Sequence, residues 1–148
     1  MPALLARDFD GLAVGGRFVT PDRRVTEADI TSFAGLTGDT HPQHTDAEWA
    51  AGSPFGERIA HGMLVASCAL GLLEFDHERV IALRRLRQVT FKRPVAIGDA
   101  IHCEGRIDSL VPVDERTGVA GIRLDVVNHE GRVAVRMSLD VLWRRAEP

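Results

Sequence analysis

The second half of the chain alternates between apolar and polar residues, as strands of a sheet with one buried face do. The alternating stretches are 83–91, 101–109, 120–126 and 133–143. In the first of them Arg84 and Arg85 break the phase, which predicts a bulge. Turn signals containing Gly98, Gly118 and Gly131 separate the stretches at hairpin spacing. The pattern therefore predicts an antiparallel sheet with one apolar face.

Two helices are predicted before the sheet. Residues 63–75 are apolar on all sides as far as Glu74, which favours a helix surrounded by protein. A second helix, Glu27–Leu36, begins after a capping pattern at Thr26 and ends before Gly38. A curved antiparallel sheet wrapped around a long apolar helix buries both apolar surfaces. This is the α+β hot-dog arrangement.

Length and charge restrict the possibilities further. A chain of 148 residues that is 45% hydrophobic suits one well-buried core, so we expect a single domain over residues 1–148. The formal net charge of −3 comes with no basic or acidic tail, so neither nucleic acid nor a membrane is an expected partner. Lys92 is the only lysine. Clusters of arginine therefore reflect a composition bias and carry little functional information.

The cysteines and the N-terminus indicate a cytoplasmic protein. Cys68 and Cys103 are far apart and form no C-x-x-C pair. Charged residues 7, 8 and 10 interrupt any signal-peptide core, and the helix after Gly62 is too short to span a bilayer. We expect a reducing compartment.

Asp39 and His44 are the candidates for acid/base chemistry, in a loop-like region of residues 39–60 with one short helix at 46–51. A fully extended chain would separate them by roughly 16 Å, so they can act together only if the segment turns back. Pro42 favours that turn because it fixes its own φ and keeps His41 out of the helical region. A carboxylate and an imidazole around one water can take a proton from it and supply one to carbon. The alternative is a capping carboxylate and a surface histidine, since short motifs are weak signals.

Gly62 is a candidate oxyanion donor. As the first residue of an apolar helix, its backbone N–H has no intrahelical acceptor and lies at the positive end of the helix dipole. Such an amide can bind a carbonyl oxygen that gains negative charge. The alternative is a glycine that only relieves crowding. His61, just before it, is more simply a structural histidine near the helix start than a third catalytic group.

A metal site is a further alternative, since histidine and carboxylate ligands suit zinc. Its ligands would come from Asp39, His41, His44 and His61. We expect no metal, because an acid/base pair already explains these residues.

Two stretches together resemble a known family. Residues 33–44, FAGLTGDTHPQH, resemble the signature F-A-x-x-(S/T)-G-D-x-N-P-x-H of the MaoC-like, (R)-specific enoyl-CoA hydratases. Residues 59–64, IAHGML, resemble a second stretch of that family at the expected distance. Residues 89–99 are similar to the strand and turn that follow its core helix, a feature shared by many hot-dog proteins.

The resemblance implies a function. Asp39 and His44 would be the acid/base pair and Gly62 the oxyanion donor of a hydro-lyase. Such an enzyme reversibly hydrates trans-2-enoyl thioesters of coenzyme A or acyl carrier protein to (3R)-hydroxyacyl thioesters, with no metal or redox cofactor. It also implies a homodimer, in which a second copy covers a sheet edge and closes the acyl pocket.

Three residues are expected to bind substrate: His41, His61 and Arg93. His41 stands where the signature has asparagine, which replaces an amide by a ring that titrates and could reshape the pocket mouth. Arg93 belongs to a basic stretch that could hold the phosphates of coenzyme A or the acidic face of a carrier protein. A solvated strand face is the simpler interpretation of that stretch.

Two other functions fit the same residues. A hot-dog thioesterase would use the same fold and oxyanion donor for hydrolysis. The second alternative is a non-catalytic subunit that binds acyl thioesters. It is supported by His41, which stands where the family signature has asparagine.

Overall fold

The structure, a computed structural model that describes residues 1–147, consists of an antiparallel sheet and the helices that pack on or beside it. The helices are α1 (Glu27–Thr37), α2 (Pro42–Thr45), α3 (Ala47–Ala51) and α4 (Gly62–Leu72). The strands are β1 (Arg17–Val19), β2 (Arg23–Arg24), β3 (Val80–Phe91), β4 (Ala100–Pro112), β5 (Thr117–Asn128) and β6 (Val133–Arg144). Two short 3-10 turns, Ala3–Ala6 and Phe9–Gly11, precede β1.

The sheet confirms the predicted strands. Its order is β1-β4-β5-β6-β3, with β2 beside β4, and each pairing is antiparallel. Strands β3 to β6 are the four alternating stretches, each slightly longer than predicted. The register shifts between Leu83 and Arg85, where the sequence predicts a bulge. Strands β1 and β2 were not predicted, because segments of three and two residues are too short to show alternation.

One face of the sheet is buried. Along β4, β5 and β6 buried side chains alternate with partly exposed ones, and α4 packs against β4 and β6. Trp143, at the end of β6, is fully buried and donates from Nε1 to the carbonyl of Arg7. The core thus lies between the inner face of the sheet and α4, as expected from the sequence.

Helix α4 differs from the prediction in two respects, since it ends at Leu72 and not at residue 75, and one of its faces is exposed. It was expected to be surrounded by protein, but in the single chain Met63, Ser67 and Gly71 are exposed. Residues four apart lie above one another on a helix, so these three form one stripe. The other faces, with Leu64, Val65 and neighbouring residues, are buried. Sequence apolarity alone did not show which face the sheet would leave uncovered.

Strand β3 is an edge of the sheet and is exposed along most of its length. Its exposed side chains include Ile81, Leu83 and Leu86. A long edge strand leaves a row of backbone groups unpaired, which is a template for pairing with another chain, and the exposed Arg84, Arg85 and Arg87 of β3 act against such pairing.

Helices α1 and α4 each have 11 residues. No helix within residues 1–147 has the length and apolar character that crossing a membrane requires.

Candidate active site

A cavity of about 430 Å³ opens between α4 and the segment that follows β3. Its wall contains Asp39, His44 and Gly62, together with apolar side chains such as Val65 and Val135. This volume is in the range typical of small-molecule sites. The cavity therefore combines an apolar interior with a few polar groups at one place.

The end of α1 positions Asp39. A capping box between Thr26 and Asp29 starts the helix, and Gly38 ends it with φ of 76° and a hydrogen bond from its N–H to the carbonyl of Ala34 at 2.9 Å. The left-handed conformation at Gly38 turns the chain out of the helix axis. The Thr37 hydroxyl then accepts a hydrogen bond from the Asp39 N–H at 3.2 Å.

His41 caps the short helix α2. Its Nδ1 accepts a hydrogen bond from the Gln43 N–H at 3.1 Å, and Pro42 occupies the first helical position. The His41 ring also lies edge-on to Trp49, with 5.4 Å between centroids. This turn brings the chain back on itself. One ligand atom each of Asp39, His44 and His61 lies within 4.8 Å of the others, so the predicted reversal at Pro42 is confirmed.

His44 is buried, with 5% of its surface exposed. Its Nδ1 donates a hydrogen bond to the carbonyl of Ile59 at 2.7 Å, and Arg58 Nε donates to the carbonyl of His44 at 2.8 Å. Because a carbonyl only accepts, the ring proton lies on Nδ1 and the lone pair on Nε2. The Gln43 side-chain amide donates to that Nε2 at 3.2 Å.

Burial controls the charge of His44. Desolvation lowers its pKa below the usual value, and the neighbouring His61 ring acts in the same direction. The Ile59 carbonyl and the Asp39 carboxylate oppose this shift with smaller effects. His44 is thereby kept neutral near physiological pH, with its Nε2 lone pair available as a base.

Gly62 allows a close contact at the start of α4. A Cβ atom at this position would lie 2.7 Å from the ring of Phe91, so any larger residue would displace the ring or the helix. The Gly62 N–H is the first amide of α4 and lies beside the cavity. Helix geometry leaves such an amide without an intrahelical acceptor. It is free to donate to an oxygen in the cavity.

The ring geometry does not favour a metal ion. Asp39, His44 and His61 offer ligand atoms close together, but the two imidazoles are stacked, with centroids 3.9 Å apart and planes inclined by 23°. Imidazole lone pairs lie in the ring plane. An ion about 2.0–2.1 Å from a nitrogen of each ring would have to lie near both planes. One ring would have to leave the stack for both to bind the ion.

The family follows from comparison with known sequences. Residues 11–128, which include the whole cavity wall except Val135, match the family described as MaoC like domain. The chain belongs to this family. A protein from Mycobacterium tuberculosis described as a double hot-dog fold has a TM-score of 0.83 and 23% identity, and covers 97% of this chain and 47% of that one, which confirms the hot-dog fold.

The matched region makes up a different share of the length of each relative. An (R)-specific enoyl-CoA hydratase of Rhodospirillum rubrum is 35% identical over 97 residues, which are 66% of this chain and 67% of that protein. Protein MaoC of Klebsiella aerogenes is 42% identical over 94 residues, but these are 63% of this chain and only 28% of that protein. The crystal structure of a MaoC-like dehydratase from Rhodospirillum rubrum has a TM-score of 0.85 and 28% identity, and covers 97% of this chain and 100% of that one.

Of the three residues expected to bind substrate, two line the cavity of this protein and one does not. His61 and Arg93 lie in the cavity wall, and Arg93 Nη1 donates to the carbonyl of Val133 at 2.7 Å. His41 is exposed and does not line the cavity; its ring serves as the cap of α2.

Sequence reasoning missed several side chains of the site, and three of them lie close to the proposed catalytic groups. Gln43, Phe33 and Phe91 line the cavity, and none had been singled out. Gln43 and Phe33 lie inside the signature stretch, so their place in the motif was an available signal. Phe91 lies in the less specific stretch 89–99, and only the tertiary fold brings the end of β3 against Gly62.

Proposed function

We propose that the protein is a hydro-lyase that reversibly adds water to trans-2-enoyl thioesters and forms (3R)-hydroxyacyl thioesters. The supporting observation is the meeting of three groups in one cavity: the Asp39 carboxylate, the unprotonated Nε2 of a buried neutral His44, and the Gly62 N–H at the start of α4. The named relatives, an (R)-specific enoyl-CoA hydratase and a MaoC-like dehydratase, support the same chemistry.

Each group has a distinct part in hydration. The Gly62 N–H donates to the thioester oxygen, which becomes enolate-like when C3 is attacked. Asp39 and His44 hold the water, and His44 Nε2 accepts a proton from it as the new C3–O bond forms. The Asp39–His44 pair returns a proton to C2, so the elements of one water are added. Dehydration follows the same steps in reverse.

The substrate is a thioester of coenzyme A or of acyl carrier protein. The inner wall of the cavity, with Phe33, Val65 and Val135, suits an acyl chain. Lys92 and Arg93 line the same cavity and are exposed. Their charges suit a phosphate of either carrier.

We also propose that the active protein is a homodimer in the cytoplasm. The exposed edge strand β3 supports pairing with a second copy, since it presents Ile81, Leu83 and Leu86 beside its arginines. Both cysteines, Cys68 and Cys103, are free thiols, which suits a reducing compartment.

The test is the loss of ultraviolet absorbance of crotonyl-CoA at the enoyl-thioester band. Wild-type protein should remove this absorbance, and Asp39→Asn should be slower by about 10²- to 10⁴-fold, as expected for loss of an acid/base group. Asp108→Asn is the matched control, because Asp108 is exposed on β4, where it pairs with Arg106. Asp39→Asn activity within a few-fold of wild type would refute the pair. Free thiol released from saturated acyl-CoA would indicate a thioesterase instead.

A further inference from the structure

His61 contacts both members of the Asp39–His44 pair. Its Nε2 lies 2.9 Å from the carbonyl oxygen of Asp39, and its ring stacks on that of His44 with 3.9 Å between centroids. Phe33 packs against the His61 ring at 4.9 Å, and only 2% of His61 is exposed. One buried ring thus fixes the backbone of Asp39 and one face of His44.

The hydrogen bonds determine where the His61 proton lies. The Asp39 carbonyl can only accept, so Nε2 carries the proton and donates. Nδ1 is buried and has no hydrogen-bond partner within residues 1–147. It does not cap α4 either, although His61 is the N-cap residue. A buried unpaired acceptor is unfavourable, so the imidazole is present at a cost that a phenyl ring would avoid.

The two nitrogens are not available to a substrate. Nε2 is bound to the Asp39 carbonyl, and Nδ1 has no solvent-accessible surface to speak of. The ring therefore borders the cavity without offering it a polar atom. What distinguishes His61 from an apolar residue is the hydrogen bond to Asp39.

We propose that His61 is a positioning residue that holds Asp39 and His44 in the geometry needed for hydration. The role rests on the proposed function and does not include contact with substrate. The N–H of His61 fixes the turn that carries Asp39, and its ring excludes water from one face of His44. Misplacement of a catalytic group by about 1 Å can lower a rate by about 10²-fold.

The two contributions can be separated by two variants. His61→Phe keeps a ring for stacking and loses the N–H. His61→Gln has a side-chain amide that reaches about as far as Nε2 and loses the ring. His77→Phe is the control, because His77 is exposed in the segment before β3. Crotonyl-CoA kinetics and the pH profile of kcat/KM are measured for each.

We expect His61→Phe to lower kcat by about 10- to 100-fold with KM within about threefold, because Asp39 is no longer held. We expect His61→Gln to move the acidic limb of the profile to higher pH, because the pKa of His44 rises when water reaches its ring. Residue 61 is the only charged or titratable group around His44 that the two variants change. The groups that stay the same are Asp39, His41 and Arg58, together with Lys92 and Arg93 in the cavity wall.

Three kinetic or spectroscopic results would overturn the proposal, and a fourth follows from the variants' spectra. Wild-type kcat and an unchanged pH profile in both variants would mean that His61 positions nothing. A higher KM at unchanged kcat would make His61 a substrate ligand. A wild-type protein whose ¹⁵N spectrum at mildly alkaline pH puts the His61 proton on Nδ1 would exclude the hydrogen bond to Asp39, even if neither variant folds.

The spectra also separate this proposal from the proposed function. The titration of His44 and the amide chemical shift of Thr40 can both be measured on a protein that does not turn over substrate. The Thr40 amide is bonded to the Asp39 carbonyl and therefore reports on the hydrogen bond from His61. Absence of hydration with every thioester would refute the function. Unchanged His44 and Thr40 signals in both variants would refute the role of His61.

Discussion

At the scale of single residues, the cap of α2 shows how two different side chains can fill one local role. His41 stands where the signature has asparagine, yet its Nδ1 accepts a hydrogen bond from the Gln43 N–H at 3.1 Å. An asparagine Oδ1 would accept the same bond, since both side chains carry an acceptor atom at the δ position. The departure from the signature therefore preserves the turn that places His44.

Replacing His41 tests this equivalence. His41→Asn should keep the turnover of crotonyl-CoA within about threefold, because the cap is retained. His41→Ala should lower the free energy of unfolding by about 1 kcal/mol, because the Gln43 N–H loses its acceptor. Urea unfolding and turnover are measured on the same samples. If His41→Asn lost as much activity as His41→Ala, the ring itself would act in the site.

A second residue-scale prediction concerns Gly62. A Cβ atom there would meet the Phe91 ring at 2.7 Å, so Gly62→Ala should shift the first amide of α4 and lower kcat by about 10- to 100-fold. Gly71→Ala is the control in the same helix, because a Cβ atom at Gly71 meets nothing within 4 Å. The double variant Gly62→Ala with Phe91→Ala should recover part of the activity. Equal turnover in Gly62→Ala and Gly71→Ala would exclude Gly62 as a constrained donor.

At the scale of elements, α1 matters through the way it ends. Gly38 has φ of 76°, which costs residues with a Cβ atom about 1–2 kcal/mol. Gly38→Ala should destabilise the protein by about that amount and lower activity, because Asp39 follows directly. Gly35→Ala, inside the same helix and with open space around its Cβ position, should stabilise by about 0.5–1 kcal/mol. Thermal unfolding measures both. If both variants changed the thermal stability in the same direction, the assignment of Gly38 as the helix end would be contradicted.

The elements also show how far sequence patterns reach. The four long strands and α1 were predicted, because alternation over seven or more residues and a capping box are strong local signals. Helix α2 was not predicted, because Pro42–Thr45 is a single turn fixed by the His41 cap and by Arg58 and Ile59 from a later segment. Unlike α3, which agrees with the short helix predicted at 46–51, α2 depends on contacts that no local pattern contains.

At the scale of the whole molecule, the burial of His44 makes stability depend on pH. Its folded pKa lies below the ordinary value of 6.5, so below that pH the unfolded chain binds a proton that the folded protein does not. The free energy of unfolding is therefore intact above about pH 6.5 and falls as the pH decreases through the folded pKa, by at most about 1.4 kcal/mol per pH unit. Urea unfolding at a series of pH values should show a shallower acidic decline for His44→Asn. Parallel curves would mean that the pKa of His44 is not lowered.

Assembly is the other property of the whole molecule. If β3 pairs with a second copy, light scattering should give twice the mass of one chain. Leu83→Lys combined with Leu86→Lys should shift the protein towards the monomer, because charge on an edge strand opposes pairing. Leu36→Lys is the control, since Leu36 is the same residue type and more exposed but lies on α1. A monomeric wild type would remove the homodimer from the proposal.

The sequence by itself determined the parts of the protein that local rules govern. Alternation predicted the sheet, all-round apolarity predicted the helix it covers, and two short stretches pointed to Asp39, His44 and Gly62. These follow from periodicity, capping and backbone chemistry over a few neighbouring residues. Each can be recognised without knowing what packs against it.

The tertiary structure decided everything that depends on distant segments meeting. It buried His44 and lowered its pKa, because Ile59 and His61 pack against it. It also brought Phe91 against Gly62 and left one stripe of α4 and the edge strand β3 exposed. Burial and long-range contacts are properties of the assembled fold, so no pattern along the chain could supply them.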